Sequence, residues 1–272
     1  MRAIGLHIRL DEGLKTVIDR VHQLQLTTLQ CFLLHQVTQR YIEPTADEIV
    51  AFKEATAHVA QRFVHASYWT NLAHTAPTSV RFVQREIELA KRLGFTHIIF
   101  HAGHATGATD RMQGIDALAR RLNFMLRRED EIQFILENSA HSNLSIGGNV
   151  ADFRAILERL EHPEKIRFCL DTVHAHVYGY DLQSWYGQQV VLQAIDRAVG
   201  LERIALIHLN NTMQPRGSYI DEHLMLDQGD ISLRALQLFV QQPPLAQVPI
   251  IMEMPAASLA DEERQLALAR SW

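Results

Sequence analysis

Long apolar runs are missing from this chain of 272 residues. None approaches the roughly 18 to 20 residues a helix needs to cross a bilayer, so no membrane span is expected. The opening Met1-Arg2-Ala3-Ile4-Gly5 has no long apolar core and enters a strand-like segment directly. No secretory signal is expected, and cytoplasm is the expected compartment. Cysteine is scarce. The two residues, Cys31 and Cys169, both lie inside apolar runs and are expected to be buried free thiols rather than a disulfide. A basic excess is missing too. Formal net charge is −5, so no global field draws in nucleic acid, although a local cationic or metal-lined groove still binds phosphate. No glycine-rich phosphate loop of either common type appears, which counts against a nucleotide-binding open sheet. No linker or low-complexity segment appears either, and Gln241-Gln242-Pro243-Pro244 reads as a loop. A single domain over 1–272 is expected.

What the chain does have is an ordinary apolar share, 47 %, and 15 dispersed histidines. The histidines and carboxylates fall in a pattern. Short apolar runs end in potential metal ligands: Arg62-Phe63-Val64-His65, Ile98-Ile99-Phe100-His101, Phe134-Ile135-Leu136-Glu137, Phe168-Cys169-Leu170-Asp171, Ala205-Leu206-Ile207-His208 and Ile250-Ile251-Met252-Glu253. His174 and the Asp221-Glu222-His223 triplet add to them. Any one of these has a plain explanation, since a buried histidine needs only a hydrogen-bond partner. Six in succession would each need an unrelated reason.

Strand-like and helix-like runs alternate along the whole chain. Strands are expected at Ala3 to Ile8, Thr28 to Leu34, the four runs ending at His65, His101, Glu137 and Asp171, the run ending at His208, and Val248 to Met252. Helices are expected at Gly13 to Leu26, Ala46 to Ala60 with Thr45 as N-cap, Thr78 to Leu93 stopped by Gly94, and Arg111 to Arg128. A helix capped by Asn149 follows, with Val150, Phe153, Leu157 and Leu160 on one face. The last three are Leu182 to Val199, Ile231 to Gln241 and Leu259 to Arg270. The strand-end ligands are spaced by 36, 36, 34, 37 and 45 residues, close to the roughly 30 or more of one βαβ unit. Near-continuous apolar strands alternating with helices make a parallel sheet covered by helices. Eight units in about 250 residues fit a (β/α)8 TIM barrel. A doubly wound sheet, the competing α/β fold, gathers ligands at one crevice and gives less reason for six strands to end in them.

In a barrel all strand C-terminal ends face one side, so these residues meet in one bowl. The set is five histidines, two aspartates and two glutamates. Imidazole and carboxylate without thiolate suit zinc, manganese or iron. Nine ligands exceed what one ion uses, and three ions sharing one carboxylate would employ them all.

These segments resemble the endonuclease IV family, the zinc-dependent apurinic/apyrimidinic (AP) endonucleases, over nearly the whole chain. The strongest piece is Leu170-Asp171-Thr172-Val173-His174-Ala175 with Gly179-Tyr180-Asp181-Leu182, similar to the family's D-T-C-H-A and G-Y-D-L signature. Also similar are Ile4-Gly5-Leu6-His7, His65-Ala66-Ser67-Tyr68, Phe100-His101-Ala102-Gly103, Leu136-Glu137-Asn138, His208-Leu209-Asn210 and Asp221-Glu222-His223. The resemblance implies three zinc ions, with Mn2+ as an alternative at some sites. His65, His101 and Glu137 would hold the first, Glu137, Asp171, His208 and Glu253 the second, and His174, Asp221 and His223 the third. Glu137 and Glu253 are the expected catalytic carboxylates. The implied reaction is hydrolysis of double-stranded DNA 5′ to an abasic site, leaving a 3′-hydroxyl, as in base excision repair of DNA damage. No membrane or protein partner is expected.

The departures fall on recognition. The family's N-P-R-x-W loop is replaced by His35-Gln36-Val37-Thr38-Gln39-Arg40-Tyr41, and the serine- and glycine-rich first loop by Arg9-Leu10-Asp11-Glu12-Gly13. Glu222 stands where the family has arginine, Asn211 where it has aspartate, Asp227 where it has glycine and Trp69 where it has leucine. His7, Arg40, Tyr68 and Trp69 are the candidate substrate contacts. His104, His141 and His176 are expected to be solvated loop residues. Two alternatives follow. A sugar isomerase or epimerase of the xylose isomerase-like barrels would need only the Glu137, Asp171, His208 and Glu253 quartet. A diverged zinc-binding barrel would keep the metal and change its nucleic-acid specificity.

Overall fold

The computed structural model describes residues 2–10, 13–35, 38–76 and 80–272. In chain order the strands are β1 (Ile4–Ile8), β2 (Thr28–Cys31), β3 (Leu34–His35), β4 (Arg40–Tyr41), β5 (Gln61–His65), β6 (His97–His101), β7 (Gln133–Glu137), β8 (Ile166–Asp171), β9 (Ile204–His208) and β10 (Ile250–Met252). The helices are α1 (Leu14–Gln23), α2 (Ala46–Ala55), α3 (Val80–Leu93), α4 (Arg111–Leu126), α5 (Ala151–Leu157), α6 (Thr172–Tyr178), α7 (Trp185–Val199), α8 (Leu233–Val240) and α9 (Leu259–Arg270). Eight strands close a barrel in the order β1-β10-β9-β8-β7-β6-β5-β2, and the paired strands run parallel. This is the expected TIM barrel. No helix among the described residues is long and apolar enough to cross a membrane.

The core has two layers because strand residues alternate in direction. One set, including Val64, Ile98, Phe134, Phe168 and Ile207, packs outward in the large cluster with the helices. The other set, Phe63, Ile99, Ile135, Cys169, Leu206 and Ile251, forms a separate cluster filling the barrel interior. At Gly5 the interior has no room for a side chain, since a Cβ there would lie 1.9 Å from the Thr28 carbonyl oxygen.

Local chemistry sets most element ends. Thr45 caps α2 in a reciprocal box with Glu48, as expected for its position. Gly94 stops α3 at φ 79°, a left-handed conformation that glycine adopts without strain. Several elements differ from the sequence expectations. β2 ends at Cys31, because the chain then turns into the antiparallel β3-β4 hairpin. α2 stops at Ala55, where Thr56 caps its end and its hydroxyl donates to the Phe52 carbonyl. Asn149 does not N-cap α5; Val150 holds that position, and Asn149 Oδ1 instead accepts from the Ala151 amide at 3.0 Å. An additional short helix, α6, follows β8 before the expected helix α7. The expected α3 start at Thr78 and the loop residues Asp11, Glu12, Gln36 and Val37 lie outside the described residues.

Candidate metal centre

The same alternation that fills the barrel interior aims the candidate ligands at the strand ends. His65, His101, Glu137, Asp171, His208 and Glu253 each lie two residues beyond an interior residue: Phe63, Ile99, Ile135, Cys169, Leu206 and Ile251. Two positions along a strand return to the same face, so all six extend the interior stack into its mouth. Register sharpens this, because His101 pairs with Glu137 and Asp171 with His208 across neighbouring strands.

Glu137 is the centre of the cluster. Its Oε2 lies 3.1 Å from His65 Nε2 and 3.7 Å from His101 Nε2. Its Oε1 lies 2.8 Å from His208 Nδ1 and 3.3 Å from His174 Nδ1. One carboxylate therefore presents one oxygen to each of two groups. His65, His101 and Glu137 form one set with ligand atoms within 4.8 Å of one another, and Glu137, Asp171, His208 and Glu253 form another. A third set is His174 and His223 with Asp171. Asp221 pairs with both of those histidines at 3.2 Å. Asp171 thus stands beside the third group as well as the second, an addition to the sequence expectation.

α6 explains how one segment serves two groups. Asp171 caps it by accepting the His174 amide at 2.7 Å, and the turn carries the His174 ring across to the Asn138 carbonyl, 2.8 Å from Nδ1. A carbonyl only accepts, so Nδ1 carries a proton. His65 is held alike, with Nδ1 2.8 Å from the Ala66 carbonyl. Both rings therefore aim Nε2 at the carboxylates, the arrangement of a metal-ligating imidazole fixed through its other nitrogen.

Electrostatics reflect four carboxylates gathered with five imidazoles. Burial lowers His65, but Glu137 outweighs it and leaves the ring up at about 9. His223 likewise loses to burial and gains more from Asp171 and Asp221, reaching about 9. His101 is dominated by burial and falls to about 4. Burial opposes ionisation of Glu137, Asp221 and Glu253, yet the surrounding histidines hold all three below the usual carboxylate range. Buried negative charge needs a cation beside it, either imidazolium or metal. The donor set fits a borderline or hard divalent ion, and the buried His223 Nε2, although 3.2 Å from Asp221, makes no well-aligned hydrogen bond among the described residues.

Sequence reasoning gave no role to three amides here. Asn138 clips β7 to β8, accepting from the Asp171 amide at 2.7 Å and donating to its carbonyl at 3.1 Å. Asn210 donates to Asp171 Oδ2 at 2.7 Å and accepts from the Glu253 amide at 2.7 Å. Gln30 on β2 touches His208, Glu253 and His7. The signal for the two asparagines was their place directly beside or two residues after a strand-end ligand; Gln30 gave none beyond being polar in an apolar run. Cys169 is also close, its sulfur grouping with Glu137 and His208. Burial pushes that thiol well above its usual range, and the nearby carboxylates add to the effect.

Around the cluster, His7 lines a cavity of about 290 Å³ with Arg9, Tyr68, Asp221, His223 and Glu253. Tyr68 and Trp69 are 64 % and 62 % exposed on the loop after β5. Trp69 lines a separate cavity of about 230 Å³ with Leu34, Gln39, Tyr41 and Phe82. Arg40 is exposed on the hairpin beside it. The departures from the family pattern have local partners. Glu222 accepts from Gln214 at 2.7 Å, Asp227 accepts from Gln265 at 2.8 Å, and buried Asn211 donates to the Leu226 and Ile231 carbonyls. His104 and His141 are exposed, whereas His176 is buried on α6, not solvated in a loop.

A family model described as a xylose isomerase-like TIM barrel matches residues 13–272. A probable endonuclease 4 from Halorhodospira halophila is 32% identical over 266 residues, covering 94% of this chain and 89% of that protein. The crystal structure of endonuclease IV from Thermus thermophilus superposes with a TM-score of 0.85 at 26% identity, covering 99% of this chain and 98% of that one. A xylose isomerase domain protein from Salmonella typhimurium shares the fold, with a TM-score of 0.72 at 14% identity over 100% and 98% of the two chains. By the matching family model, the relative at 32% identity and the shared barrel, the chain belongs to the endonuclease IV family of xylose isomerase-like TIM barrels.

Proposed function

We propose that this protein is a zinc-dependent phosphoric diester hydrolase that incises double-stranded DNA 5′ to an abasic site, leaving a 3′-hydroxyl, and so acts in base excision repair. The observation that carries the reading is Glu137, whose two oxygens face two different histidine groups. A sharing carboxylate is what a multinuclear site needs and a single-ion site does not. His65, His101 and Glu137 would hold one ion, Glu137, Asp171, His208 and Glu253 a second, and His174, Asp221 and His223 a third. Zinc held there would polarise a phosphoryl oxygen and lower the pKa of bound water towards neutrality.

The chain's own residues do the rest. Asn138 and Asn210 hold Asp171 and the Glu253 backbone in place, so the carboxylates are fixed before substrate arrives. The cluster sits at the floor of an open cavity, where an anionic phosphodiester meets Arg9 and His7 as well as the ligands. Tyr68 and Trp69 stand exposed at the rim, where aromatic side chains stack on or wedge between bases at a lesion. Arg40 on the hairpin supplies a cation for a flanking phosphate.

One other reading has an observation in its favour. Glu137, Asp171, His208 and Glu253 converge as a four-ligand group on their own, enough for one divalent ion in a sugar isomerase or epimerase. That reading leaves the His65, His101, His174, Asp221 and His223 contacts without a purpose. Metal analysis of purified protein separates the two. About three zinc ions per chain are expected, from the usual three or four ligands per ion. A single manganese or magnesium would transfer the assignment to the sugar enzymes.

A further inference from the structure

Gln30 lies inside the barrel mouth, wholly buried, on a strand whose outward neighbours Leu29 and Cys31 are apolar core. An amide there is costly unless each of its groups is satisfied. All are. Nε2 lies 2.6 Å from Glu253 Oε1 and 2.8 Å from His7 Nδ1. Oε1 lies 2.8 Å from His208 Nε2.

These contacts fix the direction of every hydrogen bond in turn. A carboxylate oxygen at 2.6 Å must face a donor, so the amide NH2 faces Glu253. The other hydrogen of the same NH2 then points to His7, whose Nδ1 must accept, and the His7 proton sits on Nε2. On the opposite side the amide oxygen only accepts, so His208 donates from Nε2. Its Nδ1 faces Glu137 at 2.8 Å and Glu253 at 3.2 Å, donating to the Glu137 carboxylate until a metal ion takes the place of that proton. His7 Nε2 is buried and has no partner among the described residues, while the His7 ring lines the cavity above the cluster. Phe32 holds that ring, with centroids 4.5 Å apart.

We propose that Gln30 is a positioning residue that sets both tautomers at once, turning the His208 Nδ1 lone pair towards metal and presenting His7 Nε2–H as a hydrogen-bond donor to an anionic oxygen of the substrate. The proposal rests on the phosphodiesterase reading only for the identity of that anion. The proton on each Nε2 follows from the Gln30 hydrogen bonds alone.

The test uses the full, zinc-loaded chain. Long-range 1H–15N NMR, with His7 assigned by comparison with His7→Gln, is expected to show His7 protonated on Nε2 and His208 protonated on Nε2. Addition of inorganic phosphate should shift the His7 Nε2–H signal. In Gln30→Leu, chelator competition should show one zinc ion held about 10- to 100-fold more weakly, the usual effect of removing a partner of a ligating histidine. His7 protonated on Nδ1 in the unaltered protein would overturn the proposal, as would a His7 signal indifferent to phosphate or unchanged zinc affinity in a folded Gln30→Leu. The unaltered-protein spectrum decides even if the variant does not fold. If the tautomers hold while abasic DNA is left intact, the phosphodiesterase reading fails and the positioning role stands.

Discussion

Glu86 offers a test of the physical reasoning that is separate from the metal. It lies on α3 among residues that pack inward, and it is 0 % exposed. Its Oε2 accepts a long hydrogen bond, 3.4 Å, from the Ser67 amide at the tip of β5. Oε1 has no hydrogen-bond partner among the described residues. Burial dominates and pushes the carboxyl up to about 8, against smaller opposing effects of the Ser67 amide and His65. The folded state therefore keeps the proton while the unfolded chain has lost it. The raised carboxyl contributes stability that is fully present below the ordinary value of 4.5 and is lost as pH rises through about 8. Within that window the loss is about 1.4 kcal/mol per pH unit, or roughly 3 to 5 kcal/mol in all. Glu86→Gln keeps the shape and the Ser67 contact and cannot ionise. Urea unfolding of both proteins at several pH values isolates the effect, because metal-linked pH dependence is common to the two. The variant should gain on the unaltered protein steadily between about pH 5 and pH 8. Parallel stability curves across that range would refute the argument that this carboxyl is buried and uncompensated.

Other outcomes follow from the same structure. Glu253→Gln removes a carboxylate that lies 3.2 Å from His208, and it should abolish incision while the circular dichroism spectrum is retained; surviving activity would show that the second metal site is misplaced. Trp69→Ala should weaken binding to abasic duplex by about 1 to 3 kcal/mol, roughly 5- to 150-fold, if the ring stacks on a base, with zinc content unaltered; unchanged binding would assign Trp69 to packing against the hairpin. In chelator-treated protein, His65 and His223, both up at about 9, contribute stability that is present below about 6.5 and lost as pH rises through 9. In the Glu86→Gln background, the chelated protein should therefore melt lower at pH 9 than at pH 6.5, and equal melting temperatures would contradict protonated His65 and His223 in the folded state.

The barrel and the convergence of its strand-end histidines and carboxylates were legible because they are periodic. Apolar runs such as Ile98-Ile99-Phe100 recur at the length of a β-α unit, and a ligand at each end shares the direction of the interior residue two before it. What the sequence concealed has no period. α6 is a single short stretch beginning with β-branched Thr172 and Val173, and it forms because Asp171 caps it and α6 packs into the barrel mouth. The hairpin at Leu34 and Arg40 rests on two residue pairs, too few to alternate visibly. Gln30 and Glu86 are single polar residues on otherwise apolar faces, and their neighbours come from distant strands. Asn149 had the chemistry of an N-cap, but the chain enters α5 one residue later and uses that side chain in a tighter turn. His176 looked like a loop histidine only because the helix that buries it was not foreseen.

The most direct test is incision of a labelled duplex carrying one abasic site by fully zinc-loaded protein, with product ends mapped and a chelated sample alongside. A single cut 5′ to the lesion, a 3′-hydroxyl end and loss of cutting in the chelated sample are the expected result. Intact abasic duplex in the presence of protein with its full complement of zinc would contradict the proposed function.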